Sequence, residues 1–337
     1  MSPRSPSTKF HPNRIAAILA LLLASCAQSD NAPASNMTAA REAKKEIQEL
    51  RAAMKKIEPF FEPMGKPEAY DWLGSHTEPG ETFEEYLDSD PTKPTKERQK
   101  IYVLPLGTFT PEQKKTIKVA TGYLDAFYDL GVEQMPQREL PKPAREQGRN
   151  IQRSNTALAN ARALANDRNS RRAPVTGHLQ IRTGYIMDAI LKPMLPADAA
   201  AFIAFTNEDL FPDDSMSFVF GQASLENRVG VWSLARLEFK ANRPTFLHRT
   251  LKIAAHETGH MFSMRHCTKY ECVMSGTNHI GETDRRPIDA CPECTAKICW
   301  LSDIEIATRY KRLAEFCRRN GLLKEAMEFE RKTKAVS

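Results

Sequence analysis

The last quarter of the chain opens on His256-Glu257-Thr258-Gly259-His260, and this pattern limits the possible folds more than any other feature. Residues four apart on a helix lie on one face, one turn above the other. Two imidazoles so placed can bind one zinc ion from the same side, with Glu257 beside the metal to take a proton from water. Leu251-Lys252-Ile253-Ala254-Ala255 supplies the apolar flank of a buried helix, which the pattern predicts from about Thr245 to Met261. His266 lies ten residues beyond His256. A third imidazole on a returning chain would leave a fourth coordination position open to water, the mark of a catalytic rather than a closed structural zinc site.

Seven cysteines occur, and all but Cys26 fall in this same quarter, as Cys267, Cys272, Cys291, Cys294, Cys299 and Cys317. A disulfide scaffold would spread its bridges more widely, so clustering beside three histidines points to metal. Two disulfides stay open as an alternative, because the leader described below sends the chain into an oxidising space. Cys291-x-x-Cys294 could also be a redox pair, but such pairs open a helix after a strand, and that context is not predicted here.

The first 25 residues read as a targeting segment. Arg4, Lys9 and Arg14 precede an apolar run from Ile15 to Leu23. The run is too short to span a bilayer, which takes roughly 20 residues, and it fits the core of a secretory signal. It ends in Leu23-Ala24-Ser25-Cys26, which resembles a bacterial lipobox with Cys26 as the lipidated residue. An ordinary signal peptide, or an uncleaved anchor, is the competing reading. Ala27 after the cysteine favours the outer membrane, so the expected location is exported, lipid-anchored at the bacterial cell envelope and facing the periplasm. The formal charge of +6 is spread along the chain without a nucleic-acid-binding signature, so nucleic acid is not an expected partner.

Beyond the leader, four divisions are expected: a signal at 1–25, a tether and helical or irregular extension at 26–95, a catalytic domain at 96–302 and a helical segment at 303–337. Within them, 37–58 reads as a helix and 59–100 as irregular. Ile101 to Leu106 reads as a buried strand. Thr110 caps a helix that has Pro111 at its first position and ends near Gly131. Residues 139–172 look like a surface insertion holding one helix near 154–166. Gly184 to Leu195 suggests a helix, and 201–205, 217–220 and 229–234 suggest strands. Two helices, 303–317 and 322–334, meet at Asn320-Gly321.

Several stretches together resemble the archaemetzincins, over roughly residues 96–335. The spacing of His256, His260 and His266 is that of metzincin peptidases. The four cysteines from Cys267 to Cys294, with Met274 two residues after Cys272, follow the archaemetzincin arrangement. Phe218-Val-Phe-Gly-Gln-Ala223, Ser233-Leu-Ala-Arg236, Ser275-Gly-Thr-Asn-His279 and Asp284-Arg-Arg-Pro287 agree with family sequences. The resemblance implies an α+β, metzincin-like zinc peptidase domain. It would have a twisted mixed sheet, an active-site helix and a cleft between two subdomains, with helical extensions at both ends.

The resemblance also implies two zinc ions per chain. His256, His260 and His266 would hold the catalytic zinc, and Cys267, Cys272, Cys291 and Cys294 a structural one. Glu257 would be general base and later proton donor, and Met274 the apolar floor beneath the imidazoles. Peptide or protein would be the substrate, with a lean toward aminopeptidase-like action on short peptides. Val229 to Leu234 resembles the edge strand above the cleft, to which a peptide could add. Asp209 is expected to order a loop, and His279 to contact substrate or serve the structure. One departure stands out: the family's glycine after the second histidine is Ser263 here, and a left-handed serine costs roughly 1–2 kcal/mol. That departure and the basic carboxy-terminal helices motivate the rival reading of a non-catalytic, zinc-stabilised peptide-binding lipoprotein, against which the intact Glu257 counts.

Overall fold

Among the earliest described residues, helix α1 (Ala34–Ile57) covers the helix expected at 37–58. The computed structural model describes residues 34–141, 170–172, 179–224 and 226–337. Cys26 and the helix expected near 154–166 lie outside the described residues. The stretch expected to be irregular instead carries two short helices, α2 (Trp72–Ser75) and α3 (Phe83–Asp88). Thr82 starts α3 with a reciprocal capping box to Glu85.

Strand β1 (Lys100–Pro105) is buried at every position from Ile101. Helix α4 (Pro111–Tyr128) begins as its sequence predicts, on Thr110 and Pro111. Gln113 adds the return bond of a capping box, and the helix stops at Asp129, which takes a left-handed conformation. The chain continues through β2 (Val132–Gln134), β3 (Ser170–Arg172) and β4 (Leu179–Arg182). The helix expected at 184–195 is a wide π-helical segment, Tyr185–Leu191, followed by a short turn, Lys192–Met194. Then come β5 (Ala199–Thr206), β6 (Asp209–Phe211), β7 (Gly221–Ser224) and β8 (Val229–Ser233).

Five strands form the main sheet in the order β2-β1-β5-β8-β7. β2, β1, β5 and β8 run parallel, and β7 alone runs antiparallel, on the edge. Every residue of β5 and β8 is buried, which is how a strand covered on both faces reads: a continuous apolar run rather than an alternation. A small sheet, β3-β4-β6, stands beside it.

Two strand expectations need correction. The strand expected at 217–220 lies at Gly221–Ser224. Phe218 and Phe220 meet edge to face instead, at 5.2 Å, and the Arg236 guanidinium covers Phe218 at 3.8 Å. The stretch makes single backbone pairings instead of a ladder of its own: the Val219 amide donates to the Leu210 carbonyl at 3.0 Å, and the Phe220 carbonyl accepts from the Ser233 amide at 2.8 Å. The edge expected at 229–234 is in fact β8, enclosed between β5 and β7. Gly-Gln-Ala-Ser has little intrinsic strand propensity, so the true edge gave no signal.

Helix α5 (Arg243–Met261) carries both histidines of the motif and is capped by Asn242, which accepts from the Thr245 amide. After it come α6 (Ile280–Arg285), α7 (Pro292–Ser302), α8 (Ile306–Arg319) and α9 (Leu323–Val336). The sequence did not announce α7. Pro292 to Cys299 is buried at every position, and a helix buried all round has no amphipathic period to read. The last two helices pack together across Asn320 and Gly321, with Gly321 at φ 76°. Residues 49–337 form one compact unit, which includes the part of the extension from Glu49 onward and the carboxy-terminal helices.

A buried ion cluster ties those helices to the segment beneath α5. Asp289 receives Lys332 at 2.8 Å and Arg309 at 3.5 Å, and all three side chains are almost fully enclosed. The Asp289 carbonyl also accepts from the Val273 amide at 3.0 Å. Removing one member leaves buried charge unpaired, which costs about 3–5 kcal/mol. Asp289→Ala is therefore expected to lower the unfolding free energy by about that amount, read from the urea midpoint, while Glu315→Ala on the exposed face of α8 changes it by less than about 0.5 kcal/mol.

Candidate active site

Helix α5 places His256 and His260 on one face, and the chain turns back after Met261 to bring His266 alongside. The three ring centroids lie 4.6, 5.2 and 4.9 Å apart. Each Nδ1 meets an oxygen that can only accept: the Val273 carbonyl at 2.9 Å for His256, the Met264 carbonyl at 2.7 Å for His260, and the Glu78 carboxylate at 3.0 Å for His266. Each Nδ1 therefore holds the proton and each Nε2 presents a lone pair. Burial lowers His256 well below the usual imidazole range and His260 to about 4, so both are neutral near pH 7.

The Nε2 atoms of His256 and His260 face each other at 3.0 Å. Two lone pairs at that distance repel unless a cation lies between them. A tetrahedral zinc with Zn–N near 2.05 Å has ligand–ligand edges of about 3.3 Å. The donor set and its tautomers thus suit zinc.

Glu257 faces a cleft of about 860 Å³ lined by α5, β7, the segment before β7, and residues 72 and 78–81 of the extension. Burial pushes its carboxyl up to about 8, and a dication nearby would pull it back toward the ionised form. β7 passes directly over it. A Cβ at Gly221 would lie 3.1 Å from both Glu257 Cγ and the Val231 carbonyl. A side chain there would have to push the Glu257 side chain or the strand aside by a few tenths of an ångström, so glycine lets the strand pass this close to the base.

Below the helix, Met274 packs against Gly259, where a Cβ would come within 2.6 Å of its sulfur and 3.2 Å of the Tyr128 hydroxyl. Met274 thus lies under the helix turn that separates the two histidines, consistent with the floor expected of it. Cys267, Cys272, Cys291 and Cys294 converge nearby, with their sulfurs all within 4.8 Å of one another and every side chain buried. Cys267 and Cys291 Sγ are 3.6 Å apart, far beyond a disulfide bond but close to the ~3.8 Å edge of a tetrahedron with Zn–S near 2.3 Å. The amides of Met274 and Cys291 donate to Cys272 Sγ at 3.4 and 3.2 Å. Hydrogen bonds from the other three cysteines lower Cys267 far below the usual thiol range, whereas burial raises Cys291. All six described cysteines are free thiols. Cys299 and Cys317, whose pairing the sequence left open, are buried, and burial raises each to about 12.

Comparison with known proteins gives the family. The model of Peptidase family M54 matches residues 179–299. Archaemetzincin-2 of Rattus norvegicus is 30% identical over 292 residues, covering 76% of this chain and 75% of that protein. The chain belongs to the archaemetzincin family of zinc metallopeptidases. Archaemetzincin-2 of Homo sapiens is also 30% identical, over 79% of this chain and 77% of its own length. The crystal structure of the Archaeoglobus fulgidus archaemetzincin, complexed with malonate, is 26% identical over 59% of this chain and 99% of that one, with a TM-score of 0.41.

In this archaemetzincin the serine at the glycine position is accommodated rather than avoided. Ser263 takes φ 64°. Its hydroxyl accepts from the Thr92 amide at 3.0 Å and bonds the Thr92 hydroxyl at 3.1 Å. The side chain that strains the turn also fastens the extension. Of the other expectations, Asp209 holds Arg236 through two bonds of 2.7 and 2.8 Å and is structural. His279 caps α6 by accepting from the Glu282 amide and sits 3.3 Å from Asp71, also a structural role. Sequence reasoning missed Glu78, Trp72 and β7. It also missed Lys252, which lines the cleft, donates to the Thr283 and Asp284 carbonyls, and is lowered by burial to about 8. Lys252 stands four residues before His256 on α5, a spacing that could have flagged it, whereas no spacing rule connects Glu78, Trp72 or β7 to the motif.

The Ser263 geometry sets two opposed expectations. Ser263→Ala keeps the left-handed strain and loses the bonds to Thr92, so urea unfolding should show a loss of about 0.5–1.5 kcal/mol. Ser263→Gly loses the same bonds but releases about 1–2 kcal/mol of strain, and should stay within about 1 kcal/mol of the parent.

Proposed function

We propose that the chain hydrolyses peptide bonds, with His256, His260 and His266 holding a catalytic zinc and Glu257 as general base. The observation that carries this reading is the set of three imidazoles whose ligand nitrogens lie within 4.8 Å of one another in the cleft that Glu257 also lines. When bound, zinc supplies Lewis acidity that activates water and polarises a carbonyl. Glu257 takes the proton of the attacking water on its carboxylate and delivers it to the leaving amine. The substrate backbone lies along β7, the edge strand of the sheet among the described residues, where ladder hydrogen bonds hold it extended over Glu257. Cys267, Cys272, Cys291 and Cys294 hold a second, structural zinc, giving two per chain, and Met274 supports the imidazoles from below.

The proposed substrates are short peptides trimmed in an aminopeptidase-like manner. Family resemblance supports this, together with a cleft whose volume lies in the range of pockets for small ligands and which the extension walls on one side. The lipid anchor at Cys26, with the signal segment ending at 25, belongs to the same proposal; the divisions at 95 and 302 are proposed as sequence divisions within the compact unit of residues 49–337. The anchor's support is the basic leader, the apolar run and the lipobox-like end. Among the described residues no helix is long and apolar enough to cross a membrane.

Incubation with a mixed peptide library, read by mass spectrometry, tests the reaction. Glu257→Ala is expected to reduce cleavage by about 10²–10⁴-fold with zinc content unchanged. Cuts confined to N-terminal residues would support the aminopeptidase form, and internal cuts would replace it. If neither protein cuts anything while both hold zinc, the peptide-binding reading takes over. Metal analysis should find two zinc ions per chain, falling to one in a Cys272→Ser, Cys294→Ser variant. Two ions retained there would refute the structural site.

A further inference from the structure

We infer that Glu78, brought in by the amino-terminal extension, is the positioning residue for the third histidine of the metal centre. The inference rests on the three-histidine zinc reading above and extends it to a segment outside the motif. Both carboxylate oxygens of Glu78 lie 3.0 Å from His266 Nδ1. A carboxylate accepts and does not donate, so it fixes the proton on Nδ1 and turns the Nε2 lone pair toward the other two imidazoles.

His266 needs such an anchor more than its partners do. His256 and His260 stand on a helix, and their Nδ1 atoms meet main-chain carbonyls, Val273 and Met264, that belong to the adjoining turns. His266 lies beyond the end of α5, past the left-handed Ser263, where no helix sets its direction. Its partner is charged and comes from 188 residues earlier in the chain. A carboxylate acceptor holds an N–H donor more firmly than a neutral oxygen does, so it orients the ring more strictly. The Trp72 ring meets the His266 ring edge-on, with centroids 5.1 Å apart, and closes a second side.

Glu78 is itself held from both directions. Ahead of it, the Trp72 amide donates to Glu282 at 3.0 Å, and Asp71 pairs with Arg285 at 2.6 Å. Behind it, Glu81 pairs with Lys297 at 2.8 Å in a nearly solvent-free contact, and the Phe83 amide donates to Glu293 at 2.8 Å. Between them Gly80, at φ 73°, lies so close to Thr268 that a Cβ would fall 2.2 Å from its hydroxyl oxygen. The segment carrying Glu78 is thus seated on the same loop that carries His266.

The test uses the full chain loaded with zinc, as wild type, Glu78→Ala, Glu78→Gln and His266→Ala. Each is titrated with a chelator and the metal per chain is counted. Cobalt substitution reports the cysteine site separately through its thiolate absorption. Glu78→Ala is expected to bind zinc at the histidine site about 10–100-fold more weakly, with the cysteine site and the far-ultraviolet circular dichroism unchanged. Glu78→Gln, whose amide oxygen still accepts from Nδ1–H but carries no charge, should fall between. Wild-type affinity in Glu78→Ala overturns the inference. If Glu78→Ala does not fold, wild-type affinity in Glu78→Gln overturns it instead. Should His266→Ala hold zinc as the parent does, the three-histidine reading fails and this inference falls with it, an outcome distinct from a failure of Glu78 alone.

Discussion

The site depends on where three protons sit. Each imidazole of the triad gives its Nδ1–H to a fixed oxygen, and only that choice leaves three Nε2 lone pairs facing one point. Much of the surrounding architecture exists to keep those oxygens in place. The Val273 carbonyl is set by the segment that carries Cys272 and Met274, and that segment is tied at its back to Asp289, which in turn is paired with Arg309 and Lys332. A line of contacts therefore runs from the carboxy-terminal helices through Asp289 and Val273 to His256.

The cysteine cluster and the triad share this intervening segment. Cys267 follows His266 directly, and its amide donates to the Met274 carbonyl at 2.9 Å. Cys291 is the N-cap of α7, so the cluster also sets where that helix begins. A metal at the cysteines would stiffen the loop from which the third imidazole hangs, even though no cysteine reaches the cleft. Ser263 adds a second restraint to the same loop through Thr92, converting a strained residue into an attachment point.

How much could be read in advance follows from how local each signal is. His256 and His260 need only the helical repeat. Thr110 and Pro111 announce α4 by capping chemistry, and Ala201 to Phe205 announces β5 by its unbroken apolar run. Cys267, Cys272, Cys291 and Cys294 were legible from clustering. The rest depends on packing that no short window contains. β7 is a weak strand by composition and becomes one because β8 offers it a ladder. α7 lost its periodicity to complete burial. Glu78 sits in a stretch of Pro, Gly and acidic residues that reads as irregular, and its role exists only once the extension is seated near His266.

The distance in sequence between Glu78 and His266 has a consequence for how the molecule comes into being. Contacts that join segments so far apart form late, because loop closure must precede any gain from them. A chain made from its amino terminus presents Glu78 long before His266 emerges, and the cysteines from Cys272 to Cys294 come later still. Neither the histidine cluster with its Glu78 anchor nor the cysteine cluster can thus be complete before residues 266 and 294, respectively, have been made, so the earlier stretches of a growing chain carry no assembled centre.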